Sequence, residues 1–283
     1  PTNIQYLVIT GSHAYGVADT AVKKKMPDYD VQGFTIPPKA RMFPGVEGHV
    51  LGFGEWANPT KKLEQGDPWQ RHHVFDDPNH KEWDFCIYGI VRYFELLRQC
   101  NPNMLDTLFV PENCILHITD VGRMVRDHRK MFYGKIVWKK FRSYALEQLH
   151  KAENKMKHPE MVKILEFEEQ FEIPHKTTLH DVKAELGQRG TVPELHYLTD
   201  AELQDYESMF HIGMSKNSRF EDNKKHKLDR KFLYNIVRLY DECDQIIESN
   251  GERDMDLQRA KEPMKAIRRG EWKIRGIPED LQD

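Results

Sequence analysis

No stretch of this sequence approaches the ~20 consecutive apolar residues that a membrane-spanning helix needs. It does not open with a basic segment followed by an apolar run, so no secretory leader is expected. Pro1 reads as the residue behind a removed initiator Met, and the expected compartment is the cytoplasm. An excess of one charge is missing as well: 42 Lys and Arg stand against 45 Asp and Glu, a formal net charge of −3. That excludes a globally basic nucleic-acid binder but leaves local basic patches open. Cysteine is scarce, at Cys86, Cys100, Cys114 and Cys243, with no CxxC pair and hence no expected zinc cage. Three of the four sit among apolar neighbours as small hydrophobes, which suits a reducing compartment. There is no internal repeat and no low-complexity tract.

What is present is a globular chain. Its 283 residues allow one large domain or two small ones, and 39% hydrophobic with 31% charged residues gives a modest core under a wet surface. Residues 4–10 read as a buried strand and 29–36 as a second, stopped by Pro37-Pro38. Gly and Pro crowd residues 44–82, which read as a long excursion with one short hairpin. Trp83 to Ile87 reads as a third strand. It runs into a helix with Ile90, Val91, Phe94 and Leu97 at helical spacing, ended by Asn101-Pro102.

Met104 to Phe109 is a short apolar segment, and Val121 to His128 suits a helix. From Trp138 the pattern is helical, with Phe141, Tyr144, Ala145 and Leu149 as the apolar face. Further helices are expected over 161–172, 178–187, 228–248 and 257–269, with a capping box at Thr199 and Glu202 and a polar, basic loop over 213–227. Strands cluster early and helices follow. The expected fold class is therefore α+β: a small mixed β-sheet core followed by a mainly helical C-terminal half.

One stretch carries chemistry. Asp28 and Asp30 lie two apart at the head of a strand, where acidic residues are depleted and where positions i and i+2 share a face. Two carboxylates that close repel unless something neutralises them, and hard divalent cations with oxygen ligands do so. The plain alternative is a turn after Met26-Pro27. Upstream, Gly11-Ser12 follows the first strand. Gly admits a phosphate close to the backbone, Ser adds a hydroxyl, and helix-start N–H groups favour an anion. A third carboxylate, Asp84, sits among apolar neighbours on the third strand, where an unpaired charge is costly and asks for a partner.

Together these residues resemble the DNA polymerase β-type nucleotidyltransferase superfamily. Within it, the chain is similar to the predicted nucleotidyltransferases of bacteria and large tailed (T-even-like) phages. Gly11-Ser12-His13-Ala14-Tyr15-Gly16, Asp28-Tyr29-Asp30-Val31, and Asp84 with the downstream Tyr88 and Phe94 carry the likeness. So do the segment from Asn101 to Phe109 and the tail Ile267-Arg268-Arg269-Gly270-Glu271-Trp272. A departure is the longer loop between Ser12 and Asp28, with Ala21-Val22-Lys23-Lys24-Lys25.

The resemblance implies a catalytic core over 1–115 and a helical domain over 116–283. It implies an enzyme moving a nucleoside monophosphate from a nucleoside triphosphate, ATP among the candidates, to an acceptor hydroxyl with release of pyrophosphate. Asp28, Asp30 and Asp84 would be catalytic and hold two Mg²⁺ ions, or Mn²⁺. Gly11, Ser12 and His13 would hold the nucleotide. The acceptor class stays open between RNA, a small molecule and a protein side chain. The alternative is a non-catalytic nucleotide-binding regulatory module of the same fold, or an interaction protein docking through its helical half.

Weaker signals remain. Lys227, Lys231, Asn235 and Arg238 share one helix face beside an apolar one, so Lys231 and Arg238 are candidates for nucleotide contact against the ordinary reading of a solvated stripe. Arg268-Arg269 suits a helix C-terminus, where positive charge is stabilised. His72, His73 and His80 match no zinc spacing, and Lys23-Lys24-Lys25 reads as solvated loop.

Overall fold

A computed structural model describes residues 3–18, 28–36, 72–76 and 82–271, with 72–76 and Glu82 given by their backbone alone. Lys23-Lys24-Lys25, His80, Trp272 and nearly all of the expected excursion over 44–82 lie outside the described residues. Strands β1 (Ile4–Ile9), β2 (Tyr29–Thr35), β3 (His72–Asp76), β4 (Glu82–Gly89) and β5 (Ile115–Ile118) form one sheet in the order β3-β4-β2-β1-β5. β2 and β4 run parallel, and the other neighbouring pairs are antiparallel. With the helices that follow, the fold is α+β around a small mixed sheet, as the sequence order implies. Four-residue β5 is too short to show alternation, and only its pairing with β1 makes it a strand.

Side-chain alternation sorts the sheet into two faces. Tyr6 and Val8 of β1 pair with Phe34 and Gln32 of β2, and Phe34 with Tyr88 of β4, so these side chains share one face. Helix α2 (Ile90–Arg98) covers it, its Tyr93 ring 4.7 Å from that of Phe34. Helix α3 (Pro102–Phe109) closes the layer, where the Tyr6 hydroxyl donates to the Thr107 carbonyl at 2.8 Å.

The apolar segment at Met104 to Phe109 is thus a helix. The Asn101 side chain caps its start and Pro102 sits where a missing N–H costs nothing. Nearly every residue of α3 is buried, so no polar face remains to show a helical period. Helix α4 (Asp120–Asp127), capped by Thr119, follows β5.

The chain divides into two compact units, one drawn from Pro1–Tyr144 and Val237–Arg269, the other from Ala145–Ile236 with Gly270 onward. This differs from the 115/116 boundary read from the sequence. β5 pairs with β1, and α4 follows directly, so residues past 115 remain with the sheet. The chain also returns to the first unit late, at Val237. In the helix over Val137–Met156 (α5), Phe141 and Ala145 are buried as expected, but Leu149 is 41% exposed.

The second unit is helical. Helices α6 (Pro159–Gln170), α7 (Leu179–Leu186), α8 (Asp200–Lys216) and α9 (Phe220–His226) surround Ile164, Val182, Leu203, Tyr206, Phe210 and Phe220. Thr199 and Glu202 form the expected capping box, and Thr178 with Asp181 forms a second. Residues 213–227 are not the loop expected: α8 runs to Lys216 and α9 fills Phe220–His226. Their basic composition misleads because Lys224 points inward. It ion-pairs with Glu168, both side chains fully buried, and donates to the carbonyls of His175 and Thr177 at 2.9 and 2.7 Å.

Helices α10 (Arg230–Glu248) and α11 (Lys261–Arg269) follow, and Arg268 and Arg269 lie in the last turn of α11 as the charge pattern suggested. All four cysteines are free thiols. No helix among the described residues is long and apolar enough to cross a membrane.

Replacing Lys224 by Met leaves Glu168 charged and buried without its cation. Urea unfolding should show a loss of roughly 3–5 kcal/mol. The double variant Lys224→Met/Glu168→Leu should recover part of it. A double variant no more stable than the single would rule out the buried charge as the cause.

Candidate functional site

The site is built where β1 ends beside the start of β2. Thr10 N–H donates to the Asp30 carbonyl at 2.7 Å, which locks the end of β1 to β2. The chain then turns into a single helical turn, α1 (Gly11–Ala14), closed by Tyr15 N–H to the Gly11 carbonyl at 3.1 Å and Val17 N–H to the Ser12 carbonyl at 2.9 Å. Gly11 has φ +63°, and a Cβ there would stand 2.2 Å from Asp30 Oδ2. Glycine is therefore required twice over: for the backbone conformation, and because the Asp30 carboxylate occupies the space of a side chain.

Parallel register brings the second carboxylate. Asp30 pairs with Asp84, so their side chains leave neighbouring strands, spaced ~4.8 Å, on the same face. Asp28 lies one residue before β2, exposed, in the same parity as Asp30. The three aspartates singled out from sequence thus sit at one end of the parallel pair, and Gly11 and Ser12 adjoin Asp30. The His13 ring stacks on Tyr29 at 4.1 Å, and Tyr29 stacks on Trp83 at 4.4 Å.

A residue the sequence did not single out also lies on the carboxylate face. Gln32, two positions beyond Asp30 and paired with Cys86, carries a buried Oε1 that finds no hydrogen-bond partner among the described residues. Its signal was the same i, i+2 spacing that drew attention to Asp28 and Asp30.

The donor chemistry suits a hard divalent cation: carboxylate oxygens from Asp30 and Asp84, and an amide oxygen beside them. Among the described residues, no group of three or more His, Cys, Asp or Glu side chains is closed around an ion-sized space. Mg²⁺ does not require such a cage, since it commonly binds through one or two carboxylates together with substrate phosphates.

The two helix candidates part company. Lys231 is exposed and belongs with the second unit. Arg238 belongs with the first and is only 5% exposed. Its guanidinium pairs with buried Asp106 and lies 3.3 Å from the Glu242 carboxylate, so it does not present itself to a phosphate. The expectation of a solvated or phosphate-facing stripe fails at Arg238 because Asp106, a lone acid in an apolar helix, supplies its partner. Burial pushes the Asp106 and Glu242 carboxyls up against the pull of Arg238, Glu242 the further.

A model of the RNA repair pathway DNA polymerase beta family (RlaP) matches residues 1–271. The chain belongs to that family. No curated protein and no solved structure matches it. The RlaP match takes in the Gly11 turn, all three aspartates and both units, so the nucleotidyltransferase likeness read from the motifs extends over nearly the whole chain.

Gly11→Ala tests the junction of the turn with Asp30. It forces a left-handed conformation on Ala and drives its Cβ against the carboxylate. The expected cost is about 1–3 kcal/mol in thermal or chemical unfolding. A substitution within ~0.5 kcal/mol of neutral, the range of ordinary surface changes, would show that the turn accommodates a side chain.

Proposed function

We propose that this RlaP-family protein is a divalent-metal-dependent nucleotidyltransferase. It would move a nucleoside monophosphate from a nucleoside triphosphate to a hydroxyl at an RNA end and release pyrophosphate. The observation that carries this reading is the register of Asp30 with Asp84 beside the Gly11-Ser12 turn. Among the acceptors left open by the sequence, the family's RNA repair pathway description favours RNA.

Gly11 lets the turn sit directly against the Asp30 carboxylate, and Ser12 offers a hydroxyl. The N–H groups at the first positions of a helical turn have no partner within it and suit phosphate oxygens. In a turn of four residues, this attraction comes from individual donors rather than a summed helix dipole. A triphosphate bound there meets the Asp30 carboxylate, and two negative groups so close need a cation between them. Asp28, Asp30 and Asp84 would hold it. When bound, Mg²⁺ (two ions, or Mn²⁺ in their place) neutralises the phosphate charge and makes the acceptor hydroxyl easier to ionise.

In the reaction the acceptor oxygen forms a bond to the α-phosphorus. The bond from that phosphorus to its bridging oxygen breaks, and pyrophosphate leaves with the electron pair. Asp84 accepts the hydroxyl proton.

Incubation with each α-labelled nucleoside triphosphate, Mg²⁺ and single-stranded RNA should label the RNA. Asp30→Asn and Asp84→Asn should each reduce labelling at least about a hundredfold while the proteins stay folded. Wild-type labelling in both variants would refute the assignment.

Binding gives a second check. Mg²⁺ and triphosphate should raise the melting temperature together by more than the sum of their separate shifts, because each raises the other's affinity by the same factor. Additive shifts with every nucleotide would count against a shared metal–phosphate site.

A further inference from the structure

The Gly11 turn is bolted to the interior of the first unit by one side chain of its own, Tyr15. The Tyr15 hydroxyl donates to Asp106 Oδ2 at 2.7 Å and accepts from Arg238 Nη1 at 2.9 Å. Both hydrogen-bonding capacities of the phenol are thereby used in fixed directions. The Arg238 guanidinium also lies over the Tyr15 ring, 4.8 Å from its centre. Its second terminal nitrogen, Nη2, donates to Asn103 Oδ1 at 3.1 Å. Asp106 and Glu242 are each 1% exposed. Helices α3 and α10 therefore converge on a single residue of the turn.

A separate anchor holds the same turn from outside. Gln258 Nε2 donates to the Ala14 carbonyl at 3.1 Å. Gly16, at φ +67°, has the Gln258 and Lys261 side chains 3.1 Å from where its Cβ would be. At the front of the turn the Thr10 N–H bonds the Asp30 carbonyl, Gly11 lies against the Asp30 carboxylate and the His13 ring stacks on Tyr29. The far end of the turn is thus the part that buried polar groups hold in place.

We infer that Arg238 is a positioning residue of the nucleotide site: acting through Tyr15, with Asp106 as its counter-ion, it sets the conformation in which Gly11 and Ser12 meet the triphosphate. This rests on the functional reading above and changes the part first given to Arg238, from touching phosphate to holding the backbone that does. Asp106 and Asn103, in the segment from Asn101 to Phe109 that sequence likeness singled out, gain a role as the seat of that arginine.

The planar guanidinium is suited to this. It meets Tyr15, Asp106, Glu242 and Asn103 from two nitrogens in one plane, which the single ammonium of a lysine does not reproduce. Tyr15→Phe removes only the hydroxyl and keeps the ring beneath the guanidinium and the Arg238–Asp106 pair. It separates positioning from gross folding.

The test joins two readouts in wild type, Tyr15→Phe and Arg238→Lys. The first is amide hydrogen exchange at Tyr15, Gly16 and Val17, whose N–H groups close the turn on Gly11, His13 and Ser12. The reference is the Thr119 and Arg123 amides, bonded to the Gln5 and Thr119 carbonyls in the same unit. The turn should exchange about tenfold faster in both variants, with the reference amides unchanged. The second readout is the affinity for triphosphate with Mg²⁺, which should fall by about tenfold in the same variants.

Unchanged turn exchange, or a rise equal across the unit, would overturn the inference and leave Arg238 a purely structural residue. Faster turn exchange with unchanged triphosphate affinity would overturn its link to the nucleotide. Wild-type protein that binds no triphosphate would remove the functional reading itself, and the exchange rates alone would still decide whether Arg238 holds the turn.

Discussion

Asp30 and Asp84 stand opposite each other across the parallel pair β2–β4, and their mutual repulsion sets the terms for what surrounds them. Burying both among apolar residues would cost several kcal/mol per charge. The sheet avoids this by placing them at the end of the strand pair, half-buried, while Val31 and Phe34 further along β2 are fully covered. Gly11 then fits against the Asp30 carboxylate as only a residue without a side chain can. The sheet end, the turn and the choice of glycine are three consequences of one charge pair that needs a cation or a wet edge.

The parts of this arrangement that depend on local rules were legible in the sequence. Strand alternation placed Asp28 and Asp30 in one parity, and apolar neighbours around Asp84 marked it as a strand residue with an unusual charge. Capping chemistry was equally legible at Thr199 and Glu202. What local rules do not carry is pairing between distant segments. Register between β2 and β4 decides that Asp30 meets Asp84, and nothing in either stretch specifies the partner. The same gap hid β5, which exists as a strand only through β1. It also hid α3, whose burial on all sides erases the polar face that a helical period requires.

Charge was the most misleading signal. A run of Lys and Arg usually marks solvated surface, because long cationic side chains are almost never fully buried unless paired. Lys224 and Arg238 are two exceptions, and each is explained by an acid distant in sequence: Glu168 lies 56 residues before Lys224, and Asp106 lies 132 before Arg238. Each of those acids sits on a helix face otherwise buried. The informative feature was therefore the acid. At Asp106 a single carboxylate stands inside an apolar segment, a pattern that asks for a cation without saying which one.

Lys224 and Arg238 also differ in what they can hold. Lys224 is a point charge with three donors. It spends them on Glu168 and on the His175 and Thr177 carbonyls, gathering the connection between α6 and α7 around one nitrogen. Arg238 spreads its donors across a plane and meets side chains from α3, from the turn after β1 and from its own helix. An ammonium cross-links backbone at a point, whereas a guanidinium fixes the relative orientation of several side chains at once. Where the requirement is to close a loop, as in the helical unit, lysine is sufficient. Where a glycine turn must stay aligned with a carboxylate pair, orientation is the quantity to be held, and the planar cation is the one that holds it.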